Sequence, residues 1–120
     1  MLTPSPRSLA LVLVLTALGC GGAPRPEARI ASSQGAIRGA EEAGAQGVPL
    51  ATLHLRLAQE QRTQALELIK KDENHRADLL LARAEADAEL ALALSREATA
   101  KAEAEKAAEE VEELQKRTAP

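Results

Sequence analysis

Residues 75–117, HRADLLLARAEADAELALALSREATAKAEAEKAAEEVEELQKR, decide the fold of this chain. The stretch contains neither glycine nor proline, the two residues that most strongly interrupt a helix. Alanine, glutamate and leucine, which are among the best helix formers, make up most of it. It therefore predicts one uninterrupted helix, roughly 60 Å long at 1.5 Å per residue.

The first half of this long helix has two apolar faces. One face comprises Ala77, Leu80, Leu81, Ala84, Ala88, Ala91, Leu92 and Ala98. The roughly opposite face comprises Leu79, Ala82, Ala86, Leu90 and Ala93. A helix that is apolar on two sides is expected to pack between two partners. One predicted partner is the preceding helix, and the other is either the first helix or another molecule.

The second half of the long helix, from Glu97, is dominated by charged residues. Its acid-before-base pairs at a spacing of four are Glu97 with Lys101, Glu112 with Lys116, and Glu113 with Arg117. A thin apolar stripe remains, formed by Ala100, Ala104, Ala107, Ala108, Val111 and Leu114. Because the preceding helix spans only roughly 30 Å, this half is expected to lack an intramolecular partner. It either projects as a solvated helix or docks its stripe on another chain.

Two shorter helices are predicted before the long one, over residues 28–46 and 50–70. Gly47 and Pro49 separate them, since glycine often follows a helix and proline often opens one. A wide apolar face on the second helix begins with Leu50 and Leu53. The fold class is therefore all-α, either an antiparallel helical hairpin or a three-helix bundle with a long, partly projecting C-terminal helix.

Two details of these connections can also be predicted. The charged turn before the long helix offers Asp72 or Asn74 as its N-terminal cap. In the first helix, Gly35 and Gly39 form a GxxxG pair, which predicts close packing against a neighbouring helix.

Residues 1–19 have the organisation of a bacterial lipoprotein signal peptide. Arg7 precedes an apolar run, Leu9 to Leu18, that is about ten residues long, whereas a membrane-spanning helix needs about twenty. Gly19 directly precedes Cys20, the only cysteine in the chain. The alternative is an ordinary signal peptide followed by a free thiol, which would be exposed to unwanted pairing in an oxidising compartment. We therefore predict that Cys20 is lipidated.

The lipid on Cys20 would hold the mature chain on a membrane. Several acyl chains on one cysteine anchor a protein firmly, whereas a single chain does so only marginally. Gly21 rather than aspartate follows Cys20, which favours the outer membrane, facing the periplasm. Residues 20–27, rich in glycine and proline, form the expected flexible tether, and residues 28–117 form the helical domain.

The composition excludes nucleic acid as a partner. The chain has 15 Lys and Arg against 18 Asp and Glu, and it has no aromatic residue. It therefore lacks both the cationic surface that neutralises phosphates and the rings on which bases stack. The absence of aromatic residues also predicts a thin core, built from alanine and a few aliphatic side chains.

The segments AIRGAEEAGAQGVPLATLHLRLAQEQ (residues 36–61) and NHRADLLLARAEADAELALALSREA (residues 74–98) resemble the bacterial family known as domain of unknown function 4398. Members of that family are alanine-rich, helical, commonly preceded by a lipoprotein signal and often encoded near OmpA-like envelope proteins. The resemblance covers roughly residues 28–98. It implies an envelope lipoprotein with an envelope protein, such as an OmpA-like protein, as its partner, and it carries no catalytic residue across.

No arrangement of residues typical of a catalytic, cofactor or metal site is found in the sequence. His54 lies among leucines on the apolar side of its predicted helix, where a hydrogen-bonded structural histidine is expected. His75 lies in the first turn of the long helix, where a role near the cap is expected. The prediction is a non-enzymatic module for protein–protein interaction, with Leu79, Leu90, Ala104, Val111 and Leu114 as its partner-facing residues. The alternative is a homo-oligomeric coiled coil that acts as a spacer between membrane and cell wall.

Overall fold

The computed structural model describes residues 22–119, and within that range the chain forms three α-helices and a 3₁₀ turn. Helix α1 spans Glu27–Glu42, the 3₁₀ turn Ala45–Gly47, α2 Pro49–Lys70 and α3 Asn74–Thr118. The predicted all-α fold with a long C-terminal helix is confirmed, and it is a three-helix bundle. The predicted signal peptide, residues 1–19, and Cys20 lie outside the described residues.

Helix α1 ends four residues earlier than the sequence pattern predicts. Gly44 has a φ of 78°, a left-handed conformation that glycine adopts without a steric penalty. The amide of Ala43 donates to the carbonyl of Gly39, and the 3₁₀ turn then redirects the chain into α2. The predicted boundary at Gly47 was wrong because the glycine that terminates the helix is Gly44.

The turn between α2 and α3 also differs from the prediction. Asp72 has a φ of 59° and closes the end of α2, with the amide of Glu73 donating to the carbonyl of Leu68 at 3.0 Å. The structure gives α3 no side-chain cap. Asn74 instead donates from Nδ2 to the carbonyl of Ala23 at 2.8 Å. This hydrogen bond holds the described part of the N-terminal tether against the α2–α3 turn.

The core is a narrow seam of small side chains along α3. Its members are Ala77, Leu81, Ala84, Ala88, Ala91 and Ser95, which alternate in steps of four and three residues. That spacing averages 3.5 residues, the repeat of a left-handed coiled coil. Alanines at the same spacing in α2, such as Ala51 and Ala58, face this seam. The predicted thin, alanine-based core is confirmed.

Helix α1 packs against α3, which the sequence left open. Arg29 near the start of α1 pairs with Asp78, and Gly39 near its end faces Leu92, so α1 and α3 run in the same direction. A methyl group built on Gly39 would lie 3.9 Å from Cδ2 of Leu92, an ordinary contact distance. One built on Gly35 would meet nothing within 4 Å. The predicted close approach at the GxxxG pair was therefore wrong.

Helices α1 and α2 both cover the same broad side of α3. Residues of α1 meet Asp78, Glu85 and Leu92, whereas residues of α2 meet Asp87. These positions flank the buried seam on its two sides. The first helix therefore does not cover the second apolar face, and that face is left without a partner within residues 22–119.

Candidate interaction surface

The five residues predicted to face a partner are all exposed on α3. Leu79 is 56% exposed, Leu90 42%, Val111 53% and Leu114 58%. Ala104 is exposed as well, as is every residue from 99 to 119. The prediction that the second half of the helix has no intramolecular partner is confirmed for the described residues.

These five residues belong to one heptad stripe, which we call the outer stripe. Counting from Leu79 in alternating steps of four and three, it comprises Leu79, Arg83, Ala86, Leu90, Ala93, Glu97, Ala100, Ala104, Ala107, Val111 and Leu114. A strict seven-residue repeat drifts by about 20° per heptad around a straight helix, so the stripe follows the path of a left-handed supercoil. It extends over five heptads, more than the three to four that indicate a coiled coil.

The buried seam does not continue into the projecting half of α3. Beyond Ser95 its next positions are Ala98 and Ala102, followed by Glu105, Glu109 and Glu112. Carboxylates at consecutive seam positions cannot form the apolar contact that the alanines form inside the bundle. The outer stripe, in contrast, stays apolar to Leu114 except at two positions. The projecting half therefore extends the unpartnered face of α3 and not its core.

A shallow groove lies where the outer stripe passes α2. Its lower part is lined by Leu68, Arg76, Leu79, Leu80 and Arg83. Its next part is lined by Gln61, Arg83, Ala86, Asp87 and Leu90. The groove carries charges of both signs, since Arg76 is paired with Glu73 and Asp87 lies beside Arg83, whereas carboxylates dominate the projecting half.

A polar cluster fixes α2 in register against α3. Nδ1 of His54 and Oδ1 of Asp87 are 2.8 Å apart, and Nε2 of Gln61 donates to Oδ2 of Asp87 at 2.8 Å. His54 and Asp87 are each 22% exposed, so water competes only partly for these bonds. The predicted structural role of His54 is confirmed, and Asp87 is the partner that the sequence pattern did not identify.

Replacing Asp87 with alanine should lower the free energy of unfolding by about 1–2 kcal/mol, because His54 and Gln61 would both lose their acceptor. Chemical denaturation followed by helical circular dichroism measures this change. Glu109→Ala, an exposed carboxylate in the projecting half, is the matched control and should shift stability by less than about 0.5 kcal/mol. Equal effects of the two substitutions would contradict the role given to Asp87.

A second polar cluster positions α1. Arg29 donates to Oε2 of Glu85 at 3.1 Å and lies 3.5 Å from Asp78, while the hydroxyl of Ser32 donates to Glu85 at 3.0 Å. The hydrogen bond to Glu85, together with the negative charge of Asp78, raises the pKa of Arg29. These contacts flank the packing that holds α1 beside the seam, in which Ser33, Ile37 and Ala40 of α1 are buried.

Two exposed leucines were assigned to the packed face by the sequence pattern. Leu50 and Leu53 begin the apolar face of α2, yet they are 52% and 51% exposed. They lie in the first turn and a half of α2, where helix periodicity alone cannot show how far the neighbouring helices extend.

Of the three predicted ion pairs in the projecting half, Glu112–Lys116 and Glu113–Arg117 form, whereas Glu97 and Lys101 do not pair.

Among residues 22–119, no group of three or more His, Cys, Asp or Glu side chains is placed to hold a metal ion. His75 is exposed at the start of α3. None of the helices described is both long and apolar enough to cross a membrane.

Comparison with protein-family models, curated proteins and solved structures finds no match to this chain. The resemblance to domain of unknown function 4398 thus stays a prediction.

Proposed function

We propose that this chain is a non-enzymatic lipoprotein of the bacterial cell envelope that presents α3 to a protein partner. The observation that carries the proposal is the outer stripe, which runs past the end of the bundle to Val111 and Leu114 without a partner in the described chain. Exposed apolar surface of this extent is typical of an interaction site. The resemblance to domain of unknown function 4398 supports an envelope location.

The position of the tether is consistent with a lipid anchor on Cys20. Ala23 is three residues after Cys20, and its carbonyl is hydrogen-bonded to Asn74 at the α2–α3 turn. An anchor on Cys20 would therefore hold the end of the bundle opposite the projecting half of α3. That arrangement places the projecting half of the outer stripe, from Ala100 to Leu114, away from the anchored end of the bundle.

Replacing Cys20 with serine should abolish incorporation of radiolabelled palmitate and release the chain from the membrane fraction, because serine cannot form the thioether to the lipid. Fractionation of cells into outer membrane, inner membrane and periplasm measures the second effect and gives the location. Gly22→Ala keeps the thiol and should behave as the unmodified chain. Unchanged labelling of the Cys20→Ser chain would contradict the anchor.

The partner-facing role can be tested by crosslinking in cells from Ala104 and Val111. Adducts are expected from these positions and not from Ala102 and Glu109, which lie on the opposite side of the helix. Mass spectrometry of the adducts identifies the partner, which the resemblance suggests is an envelope protein such as an OmpA-like protein. Absence of adducts from both stripe positions would contradict this role for the projecting half.

A second candidate function is a self-associating coiled-coil spacer between membrane and cell wall. The seven-residue repeat of the outer stripe favours it. Adducts formed only between copies of this chain would support self-association over a different protein partner.

A further inference from the structure

We propose that residues 86–114 of the outer stripe are covered by a second copy of this chain, packed antiparallel to the first. This inference deepens the proposed function, since it names the partner of the same surface. It rests on the spacing and charges of α3 and holds with or without a lipid on Cys20.

The first argument is the geometry of the bundle. Helices α1 and α2 cover the seam side of α3, so a second helix can approach the outer stripe over residues 86–114. In the alignment given below, Leu79 and Arg83 lie beyond the end of the second copy's α3 at Thr118. Antiparallel pairing then places the two bundles on opposite sides of the helix pair, where they do not collide. Alanines at five of the eleven positions of the stripe allow the two axes to approach closely, toward the lower end of the usual 8–10 Å.

The second argument is the distribution of charge beside the outer stripe. Aligning Ala104 of one copy with Ala100 of the other places Arg96 opposite the second copy's Glu110, and Glu89 opposite the second copy's Arg117. Each pair occurs twice because the arrangement is symmetric, which gives four attractive contacts. Two like-charge contacts remain at the symmetry axis, where Glu103 and Lys101 each meet their own counterpart. The attractive contacts outnumber them.

In a parallel pair in register, like-charge contacts outnumber attractive ones. Glu97 and Arg83 would each face their own counterpart within the outer stripe, and Arg96 would lie opposite the second copy's Lys101 at both edges of the stripe. No attractive pair at the flanking positions offsets these contacts. Charge therefore selects the antiparallel orientation, as it does in other helix pairs.

The apolar layers of the antiparallel pair are also compatible. Leu90 packs against the second copy's Leu114, Val111 against Ala93, and Ala104 against Ala100. Glu97 faces Ala107 and does not meet another carboxylate. The α2–α3 turns then lie at opposite ends of the dimer, roughly 80 Å apart at 1.5 Å per residue. With Cys20 lipidated, such a dimer lies along one membrane and does not stand upright as a spacer.

Disulfide formation between introduced cysteines tests the orientation. The full-length chain in detergent micelles carries Cys20→Ser, which removes the only natural thiol, and either Ala100→Cys or Ala104→Cys with a different affinity tag on each. Mixing the two is expected to give the mixed disulfide in several-fold excess over either disulfide between identical chains. An excess of the identical-chain products, or no disulfide at all, would overturn the antiparallel dimer.

A charge exchange distinguishes a specific interface from a folding defect. Arg96→Glu in both tagged chains should reduce the mixed disulfide several-fold, and adding Glu110→Arg to both chains should restore it, while helical circular dichroism stays unchanged. Glu105→Arg, on the seam side of the projecting half, is the control and should leave the yield unchanged. Failure of the second substitution to restore the yield would overturn the pairing of Arg96 with Glu110. Adducts to a different protein in the cellular experiment, together with no dimer here, would refute this inference and leave the proposed function intact.

Discussion

Replacing Leu81 with alanine should lower the free energy of unfolding by about 3 kcal/mol, which is typical of a buried leucine. Leu81 is fully buried and is the largest side chain with that property among the described residues. It belongs to the buried cluster nearest the α2–α3 turn, which we call the lower core and whose other buried members are Ala65 and Ala77. The larger side chains packed against this cluster are only partly buried, and they would have to move inward to fill the cavity; they are Ile30, Leu68, Ile69 and Leu80. In a bundle with so few large side chains, one cavity removes a large share of the packing.

Leu79→Ala is the matched control for this substitution. Leu79 lies on the same helix two residues earlier, has the same side chain and is 56% exposed. Its replacement should change stability by less than about 1 kcal/mol, because little apolar surface returns to water. Chemical denaturation of both variants in dilute solution, where self-association contributes least, gives the two values. Similar losses would show that Leu81 is not the centre of the lower core.

Replacing Ala88 with leucine should also destabilise the bundle, by about 2–3 kcal/mol, although it adds apolar volume. Ala88 is fully buried in the upper core, which also contains Leu55, Ala58 and Ala91. A leucine in that position forces the axes of α2 and α3 apart, and this in turn lengthens the hydrogen bonds around Asp87. The same denaturation measurement therefore reports overpacking as a lower midpoint.

Ala102→Leu is the control for overpacking. Ala102 is exposed in the projecting half and lies off the outer stripe, so the added side chain meets solvent. Its effect should stay within about 0.5 kcal/mol of zero. A stabilising effect of Ala88→Leu would mean that the alanine seam is loosely packed and that the helices are not held at the distance the structure gives.

The three helices and the projecting half of α3 could be predicted from the sequence because the signals are local. Forty-three consecutive residues from His75 to Arg117 without glycine or proline require no knowledge of the fold to be recognised as a helix. The helix boundaries were less predictable. Both Gly44 and Asp72 adopt left-handed conformations that end a helix. In the sequence, neighbouring glycines and polar residues were equally good candidates for the residue at which each helix ends.

The candidate surface was predicted in part. Its residues follow from the periodicity of α3, which marks Leu79 and Leu90 as a second apolar face. The exposure of that face did not follow from the periodicity, because α1 could have packed on either of the two apolar faces of α3. Contacts between distant residues decided the outcome: the burial of Ile37 and Ala40 in the core, accompanied by the pairing of Arg29 with Asp78 and Glu85. Such pairs are separated by about fifty residues or more and leave no local pattern.

The sequence by itself determined the all-helical class, the relative lengths of the helices and the alanine-based core, because helix propensity and hydrophobic period act over a few residues. Only the tertiary structure decided that α1 and α2 share one side of α3. That choice depends on contacts whose partners meet only once the chain has folded. Ile37 and Ala40 of α1 are buried in the core with Ala88, and polar contacts flank that packing, from His54 and Gln61 to Asp87 and from Arg29 to Glu85. It is also what leaves the outer stripe free for another molecule.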